Sequence, residues 1–310
     1  MRFSTNSGYV RGFLATALFV SVFFVHSQNV IVLGLAQDGG FPHIGCQKAC
    51  LQAHQNPDLA RYITSLALAD AESGKWWLFE ASPDMDRQIQ YFHDLTNHQY
   101  NYLPEGIFIT HAHMGHYTGL MFLGREALGA NGVKVYALPR LIDFLSTNGP
   151  WSQLISLDNI DPVKMKADSS LTISENIQVT AFTVPHRNEY SETAGFRIET
   201  NKKDYLFIPD IDKWSKWDRS IVEEIKKVDY AFLDATFFQD GELPNRAMSE
   251  VPHPFVKETM ALFENESELV KKKVQFIHLN HTNPLLFSEK ARIEVLKNGF
   301  GIAEQGKVYN

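Results

Sequence analysis

The sequence predicts an α/β protein in which two β-sheets are sandwiched between helices. Short apolar strand patterns alternate with helical patterns along most of the 310 residues. Many strands are joined by short connections, and this order fits two sheets better than one doubly wound sheet. No repeat or long linker interrupts the chain after residue 27, so we expect one domain over residues 28–310.

In the first half of the chain, strands are predicted where short runs of β-branched, aromatic or aliphatic residues occur. These runs are Val30–Leu35, Tyr62–Ala69, Trp76–Ala81, Gly106–Thr110 and Val133–Ala137. A helix is predicted to begin at Ser82-Pro83-Asp84, because serine suits the N-cap, proline the first helical position and aspartate the positive end of the helix dipole. The remaining patterns are an apolar helical run from Tyr117–Leu123, a helix over Arg140–Thr147 and a loop-rich stretch over Trp151–Lys166.

The second half begins with three strand patterns, after which helices and strands alternate. The predicted strands are Ile177–Val184, Ala194–Thr200, Tyr205–Ile208, Tyr230–Leu233, Val274–Leu279 and one last short strand. The predicted helices are Arg219–Lys227, Phe255–Glu264 and Ser288–Asn298.

The N-terminal residues have the pattern of a secretory signal peptide. Arg2 and Arg11 precede the apolar run Phe13–Val25, and Val25 and Ser27 occupy the −3 and −1 positions of a cut after residue 27. The alternative is an uncleaved membrane anchor, for which the run is short. We therefore expect a leader over residues 1–27, a periplasmic or secreted enzyme and no stable membrane insertion after cleavage.

The charge of the chain excludes one class of partner. The formal net charge is −7, whereas electrostatic binding to nucleic acid requires a basic surface. A small-molecule substrate fits the composition better, and nothing in the sequence indicates an oligomeric state.

The two cysteines of the chain, Cys46 and Cys50, lie close together. They are predicted to be free thiols, a disulfide in an oxidising compartment, or part of a structural zinc site. Cys46, Cys50 and His54 recur every four residues and would share one helical face, with His43 as the nearest fourth ligand.

Three histidines at the end of one predicted strand are the strongest functional signal. On an extended backbone His111 and His113 point the same way, and the following turn brings His116 to the same corner. Neutral imidazole is a common ligand of Zn²⁺ and related cations, so the cluster predicts part of a metal site. The alternative, a polar loop rich in histidine, fits a strand–turn–helix context less well.

Further candidate ligands follow other apolar strands. His186, Asp210, Asp234 and His281 each come at or just after a strand end, where a scaffold can hold reactive groups rigidly beside an open face. A single aspartate or histidine in such a place commonly caps a turn. The repeated occurrence after successive strands favours one shared site.

In this order, these residues resemble the metal-ligand series of the metallo-β-lactamase superfamily. Within it, the sequence most resembles the pyrroloquinoline-quinone biosynthesis protein B family, in motifs that span the mature chain: Gln37-Asp38-Gly39-Gly40-Phe41-Pro42, Ala81-Ser82-Pro83-Asp84 and Phe276-Ile277-His278-Leu279-Asn280-His281-Thr282-Asn283-Pro284-Leu285. The resemblance implies an αββα sandwich of two mixed β-sheets flanked by helices, with the site at the rim between the sheets.

The resemblance also implies which residues bind metal. His111, His113 and His186 would hold a first ion, His116 and His281 a second, and Asp210 would bridge them. The superfamily normally has aspartate at the position of Gly115, so the second ion would lack one carboxylate, and Gly115→Asp is expected to tighten its binding. The biosynthesis family typically has asparagine where this chain has His281.

A metal ion with three imidazole ligands keeps its charge and lowers the pKa of bound water from 15.7 to about 7. We therefore expect a hydrolase of an ester, lactone or phosphodiester, with Asp210 orienting the water. His253 is the candidate proton donor, although a plain loop histidine is an equal alternative. His278 is interpreted as an outer partner of a ligand and Asp38 as a turn residue.

Zinc, as one or two ions, is the expected cofactor, with iron or manganese as alternatives. Two other functions stay open: an iron-dependent oxygenase of a small or peptide-derived substrate, suggested by the biosynthesis-family resemblance, and a non-catalytic binding protein on the same fold.

Overall fold

The computed structural model describes residues 28–243 and 247–310. Within them the chain forms two mixed sheets of seven strands each, flanked by helices, so the predicted αββα architecture is confirmed. The leader predicted for residues 1–27 lies outside the described residues. Among the described residues, none of the helices has both the length and the apolar character needed to cross a bilayer.

The first sheet has the strand order β14-β1-β2-β3-β4-β5-β6. Strands β3 to β6 are mutually parallel, whereas β14, β1, β2 and β3 pair antiparallel. The strands are β1 Gln28–Gly34, β2 Ser65–Asp70, β3 Lys75–Phe79, β4 Gly106–Phe108, β5 Val133–Ala137, β6 Ile160–Lys164 and β14 Val308–Tyr309.

The second sheet has the order β13-β12-β11-β10-β9-β8-β7 and repeats the same division. Strands β10 to β13 are parallel, and β7 to β10 pair antiparallel. The strands are β7 Ser169–Ser174, β8 Ile177–Val184, β9 Thr193–Thr200, β10 Asp204–Ile208, β11 Tyr230–Asp234, β12 Val274–Ile277 and β13 Gly301–Ile302.

The α-helices connect and cover the sheets. They are α1 Leu51–Gln55, α2 Met85–Leu95, α3 Met114–Tyr117, α4 Pro139–Thr147, α5 Trp151–Ser156, α6 Ile221–Lys226, α7 Val256–Leu262, α8 Glu268–Lys271 and α9 Glu289–Lys297. Helix α2 begins two residues later than predicted, with Asp84 rather than Ser82 at the N-cap. The Ser82 hydroxyl accepts from the Asp84 amide (3.1 Å).

Three strands were not predicted from the sequence: β6, β7 and one of the two short strands β13 and β14, where a single last strand was expected. All four of these strands lie at a sheet edge. The stretch predicted as loop-rich, Trp151–Lys166, contains helix α5 and edge strand β6, in which Pro162 hides the strand pattern. Proline is tolerated there because an edge strand pairs on one side only. Strand β7 is rich in serine and partly exposed, as edge strands that avoid aggregation usually are.

The sheets are held together by aromatic rings that meet between them. Phe79 and Phe108 of the first sheet stack at 4.8 Å between ring centroids. Phe196 of the second sheet meets both edge-on at 5.6 Å. All three side chains are fully buried, so the contact between the sheets is a closely packed wall directly beneath the rim.

The rim is where the parallel strands of both sheets end. Backbone hydrogen bonds join the loop after β1 to the loop after β12: the Leu279 amide donates to Leu35 (2.8 Å), and the Gln37 amide donates to Leu279 (2.9 Å). The carboxyl ends of parallel strands share one edge of a sheet. Residues after β1, β4, β10, β11 and β12 are thereby brought to one place.

We expect Phe196→Ala to lower the free energy of unfolding by about 3–5 kcal/mol, the usual cost of a cavity left by a fully buried phenylalanine. Urea denaturation of the metal-free protein measures it. Phe287→Ala is the matched control, since the Phe287 side chain is 48% exposed and its loss should cost about 1 kcal/mol or less. Equal losses in the two variants would mean that the aromatic wall does not hold the sheets together.

Candidate metal centre

Four predicted ligands meet at the rim. His111 and His113 follow β4, His186 follows β8 and Asp210 follows β10, and their ligand atoms all lie within 4.8 Å of one another. His111 Nε2 is 2.8 Å from His113 Nδ1 and 3.3 Å from Asp210 Oδ2. His186 Nε2 is 3.2 Å from the same carboxylate oxygen.

The outward nitrogen of each imidazole in this group has its own polar partner. Thr110 Oγ1 is 2.8 Å from His111 Nδ1, and Asp212 Oδ1 is 3.2 Å from His186 Nδ1. Glu189 Oε2 is 3.4 Å from His113 Nε2. Such partners fix the ring orientation and the tautomer of a metal-binding histidine. His111 and His186 therefore offer Nε2 to the centre, and His113 offers Nδ1.

His116 belongs to a second group, with Asp38 and His278. Its Nε2 is 3.2 Å from Asp38 Oδ1 and 3.7 Å from Asp210 Oδ2, so Asp210 lies between the two groups. His278 Nε2 is 3.7 Å from Asp38 Oδ1. His116 is supported from behind by Glu80, a fully buried residue whose Oε1 is 3.2 Å from His116 Nδ1.

The structure corrects the assignment of His281. Among the described residues, the group around His116 contains His278 and Asp38 but not His281. His278 comes directly after β12, and its positive φ of 64° turns the chain at the rim. Three residues further along, the ring of His281 stacks on His43 at 4.2 Å between centroids. Sequence analysis had noted Asp38 and His278 but gave them the lesser roles of turn residue and outer partner.

His281 lies instead beside the cysteine loop. Cys46 and Cys50 are both free, and burial, with the adjacent Cys46 thiol, raises the pKa of Cys50 to about 11. His54 Nε2 is bonded to the Cys46 carbonyl oxygen (3.0 Å) rather than directed at a thiol. A cavity of about 530 Å³ is lined by residues that include His43, Cys46 and His281. Among the described residues, the side chains of Cys46, Cys50, His54 and His43 form no group of three or more ligand atoms within 4.8 Å of one another, so the structure does not support the predicted structural zinc.

The candidate proton donor His253 contacts the centre from the second sheet. Its Nδ1 is 2.9 Å from Asp234 Oδ2 and 3.1 Å from Asp210 Oδ1. Thr236 donates to Asp234 Oδ1 (2.7 Å), and the same hydroxyl oxygen is 3.0 Å from His278 Nδ1. Burial lowers the pKa of His253, but Asp234 and Asp210 outweigh it and hold that pKa well above its ordinary value. Asp234 thus supports both the proton donor and a ligand of the second group.

The electrostatics of the first group suit a metal ion. Burial, with the neighbouring His116, lowers the pKa of His111 well below its ordinary value, which leaves the neutral imidazole that binds metals. Burial raises the pKa of Asp210, but His186 and His253 outweigh it and keep that pKa well below its ordinary value. The centre therefore offers a neutral ring beside an ionised carboxylate.

Buried polar atoms that lack a hydrogen-bond partner show whether these residues are suited to bind a metal ion. Among the described residues, several buried side-chain atoms without a hydrogen-bond partner face this centre: Asp38 Oδ1, His116 Nε2, His186 Nε2, Asp210 Oδ1 and His278 Nε2. A buried polar atom without a partner costs about 1–3 kcal/mol. Imidazole and carboxylate donors suit zinc, manganese and iron. The residues fit two cations: His111, His113, His186 and Asp210 would hold one, and Asp38, His116 and His278 would hold the other.

Comparison with known proteins gives the family. The profile described as the Beta-lactamase superfamily domain matches residues 75–279. Coenzyme PQQ synthesis protein B of Gluconobacter oxydans is 28% identical over 307 residues, which covers 91% of this chain and 98% of that protein. Its counterpart in Rhizobium meliloti is 24% identical, with 90% and 96% covered.

Solved structures share the fold. The crystal structure of Zn²⁺-bound PqqB from Methylobacterium extorquens aligns with a TM-score of 0.74 at 21% identity, covering 91% of this chain and 99% of that one. A diphosphatase from the PhnP family aligns with a TM-score of 0.63 at 20% identity, covering 91% and 96%.

The two histidines after β12 give a direct test of the corrected ligand set. We expect His278→Ala to lower the Mn²⁺ bound per chain from two equivalents to one, and His281→Ala to leave both. Manganese is the probe because it prefers imidazole and carboxylate to the thiols beside His281. Equilibrium dialysis with elemental analysis measures the content. Loss of an equivalent only in His281→Ala would restore the assignment made from the sequence.

Proposed function

Because the chain belongs to the beta-lactamase superfamily, we propose that it is a metal-dependent hydrolase of an ester, lactone or phosphodiester bond. The observation that carries the proposal is the position of Asp210. One carboxylate oxygen faces ligand nitrogens of both groups, and the other faces His253. This arrangement brings metal ligands and a proton donor to the same buried point.

Two groups of residues would hold the ions. The first consists of His111, His113, His186 and Asp210, and the second of Asp38, His116 and His278. Asp210 Oδ2 also lies 3.7 Å from His116 Nε2, so this carboxylate is placed between the two groups. Bound zinc or manganese would supply a Lewis acid and a water molecule whose pKa is lowered toward neutrality. The ligands themselves are fixed by Thr110, Asp212 and Glu80, so little reorganisation is needed when the ions bind.

His253 is the residue that we propose as the proton donor to the leaving group. Its Nδ1 faces two carboxylates, Asp234 and Asp210, which stabilise the protonated ring. Its Nε2 is on the opposite side of the ring and is the atom that can donate a proton. Asp234 positions the imidazole without contact to substrate, and its own oxygens are held by Thr236 and by the Ile211 amide (3.0 Å).

An iron-dependent oxygenase is the second candidate. It is favoured by the similarity to coenzyme PQQ synthesis protein B along 91% of the chain. A non-catalytic binding protein is disfavoured, because it would have no use for the pairing of His253 with Asp234 beside the ligand groups. We place the activity in the periplasm or outside the cell on the basis of the leader predicted for residues 1–27, and fractionation of the expressed full chain tests this.

Metal content and substrate choice separate the candidates. The protein is stripped with a chelator, loaded separately with Zn²⁺, Mn²⁺ or Fe²⁺ and assayed on aryl esters, lactones and phosphodiesters. We expect turnover with two equivalents of zinc or manganese and no consumption of oxygen. Activity that requires one iron and consumes O₂ supports the oxygenase, and metal binding without turnover on any substrate supports the binding protein.

Replacement of the proton donor tests its role. We expect His253→Ala to lower kcat by about 10²- to 10⁴-fold on a substrate with an alkoxide leaving group, the usual contribution of general acid catalysis. The loss should be much smaller on a p-nitrophenyl substrate, because p-nitrophenolate departs without protonation. Steady-state kinetics on the two substrates measure the difference.

His98→Ala is the control, since the His98 side chain is 68% exposed and lies outside the ligand groups. It should keep full activity on both substrates. If His253→Ala slows both substrates equally while the Mn²⁺ content stays at two, His253 does not protonate the leaving group.

A further inference from the structure

We propose that Asp38 supplies the carboxylate of the second ion and that residue 115 is glycine because this carboxylate occupies the space of its side chain. The proposal rests on the two-ion centre described above. On this proposal, a carboxylate can reach the second ion either from residue 38 or from residue 115, but not from both.

The space around Gly115 carries the argument. A Cβ atom placed on Gly115 would lie 2.2 Å from Asp38 Oδ1, 2.8 Å from Asp38 Cγ and 2.7 Å from Asp38 Cα. All three distances are below normal contact distances between nonbonded heavy atoms. Because the backbone atom of Asp38 is also too close, rotation of its side chain alone would not relieve the overlap. A side chain at 115 and the present Asp38 loop therefore exclude each other.

The Asp38 carboxylate is directed at the centre rather than at the turn that contains it. Its Oδ1 is buried, has no hydrogen-bond partner among the described residues and lies 3.2 Å from His116 Nε2 and 3.7 Å from His278 Nε2. An aspartate that stabilises its own turn would accept from a nearby backbone amide. Here the Gly40 amide donates to the Gln37 carbonyl instead (2.7 Å).

The loop that carries Asp38 is anchored on both sides. Before it, Leu35 and Gln37 are hydrogen-bonded to Leu279, the residue after His278. After it, Phe41 exchanges backbone hydrogen bonds with Arg61, at 3.1 Å and 2.6 Å. Main-chain hydrogen bonds thus fix the loop that carries Asp38, and they involve no metal ligand, as a preorganised site requires.

This geometry overturns the expectation that Gly115→Asp tightens the second site. That expectation treated the missing carboxylate at 115 as a vacancy, whereas Asp38 fills it. An aspartate introduced at 115 alone must displace the Asp38 loop and disturb His116, its neighbour in the chain.

The test is a reciprocal exchange of the two residues, with Mn²⁺ as the probe. We compare the unaltered chain, Asp38→Gly, Gly115→Asp and the double variant by Mn²⁺ titration and by electron paramagnetic resonance, in which two ions sharing a carboxylate give an exchange-coupled signal. Each single variant should bind the second Mn²⁺ more than about 100-fold more weakly and lose the coupled signal, because even loss of an outer partner costs about 10- to 100-fold. The double variant removes the overlaps with Oδ1 and Cγ and leaves only the 2.7 Å contact with the Cα atom of residue 38, which a small shift of the loop relieves. It should therefore bind the second Mn²⁺ more tightly than either single variant and regain the coupled signal.

Three controls keep the result interpretable. Circular dichroism melts in chelator establish that each metal-free variant is folded, and Asp38→Asn replaces Asp38→Gly if the latter is not. Asp58→Asn, at an exposed position outside the ligand groups, should bind both ions as the unaltered chain does.

Two equivalents of coupled Mn²⁺ in Asp38→Gly or Asp38→Asn, a double variant no better than the single ones, or one equivalent in the unaltered chain would each overturn the inference. Two coupled ions without hydrolysis of any substrate would instead overturn the proposed hydrolase and leave this inference standing.

Discussion

The buried carboxylate of Asp210 is the constraint on which the rest of the site depends. It is only 2% exposed, and removal of a carboxylate from water costs several kcal/mol unless opposite charge compensates it. Burial lowers the pKa of His253 beside this carboxylate, but Asp234 and Asp210 outweigh it and hold that pKa well above its ordinary value. Burial lowers the pKa of His116, but Glu80 and Asp38 outweigh it and raise that pKa well above its ordinary value. A cation held by His116 would take the place of the proton on its Nε2, so metal loading would depend on pH and would contribute to stability.

The fold explains how so many polar groups can be buried at one rim. Each sheet has a parallel half, and most of the ligands follow strands at the carboxyl ends of these halves. Asp38 and His186 instead follow the antiparallel strands β1 and β8. Directly below, the rings of Phe79, Phe108 and Phe196 close the space between the sheets. The apolar wall keeps water out from below, so the polar side chains must satisfy one another or bind an ion.

The sequence predicts most of the fold and all of the first ligand group, but only His116 of the second group. His111 and His113 are local, because strand alternation alone turns them the same way. Asp210 follows a clearly apolar strand. His278 and His281, by contrast, lie three residues apart in one turn, and the positive φ of His278 that selects it is a property of the folded backbone. Edge strands β6 and β7 escaped notice because exposure removes the apolar signal on which strand prediction relies.

Asp38 shows why position along the chain is a poor guide to a missing ligand. A metal site requires an oxygen atom at a point in space, and either of two loops can supply it if the other leaves room. Here the atom comes from the loop after β1, which is hydrogen-bonded to the loop after β12 through Leu279. The second group therefore takes ligands from both sheets, and its geometry depends on how the sheets dock. Packing between the sheets and formation of the centre are thus parts of one structural constraint.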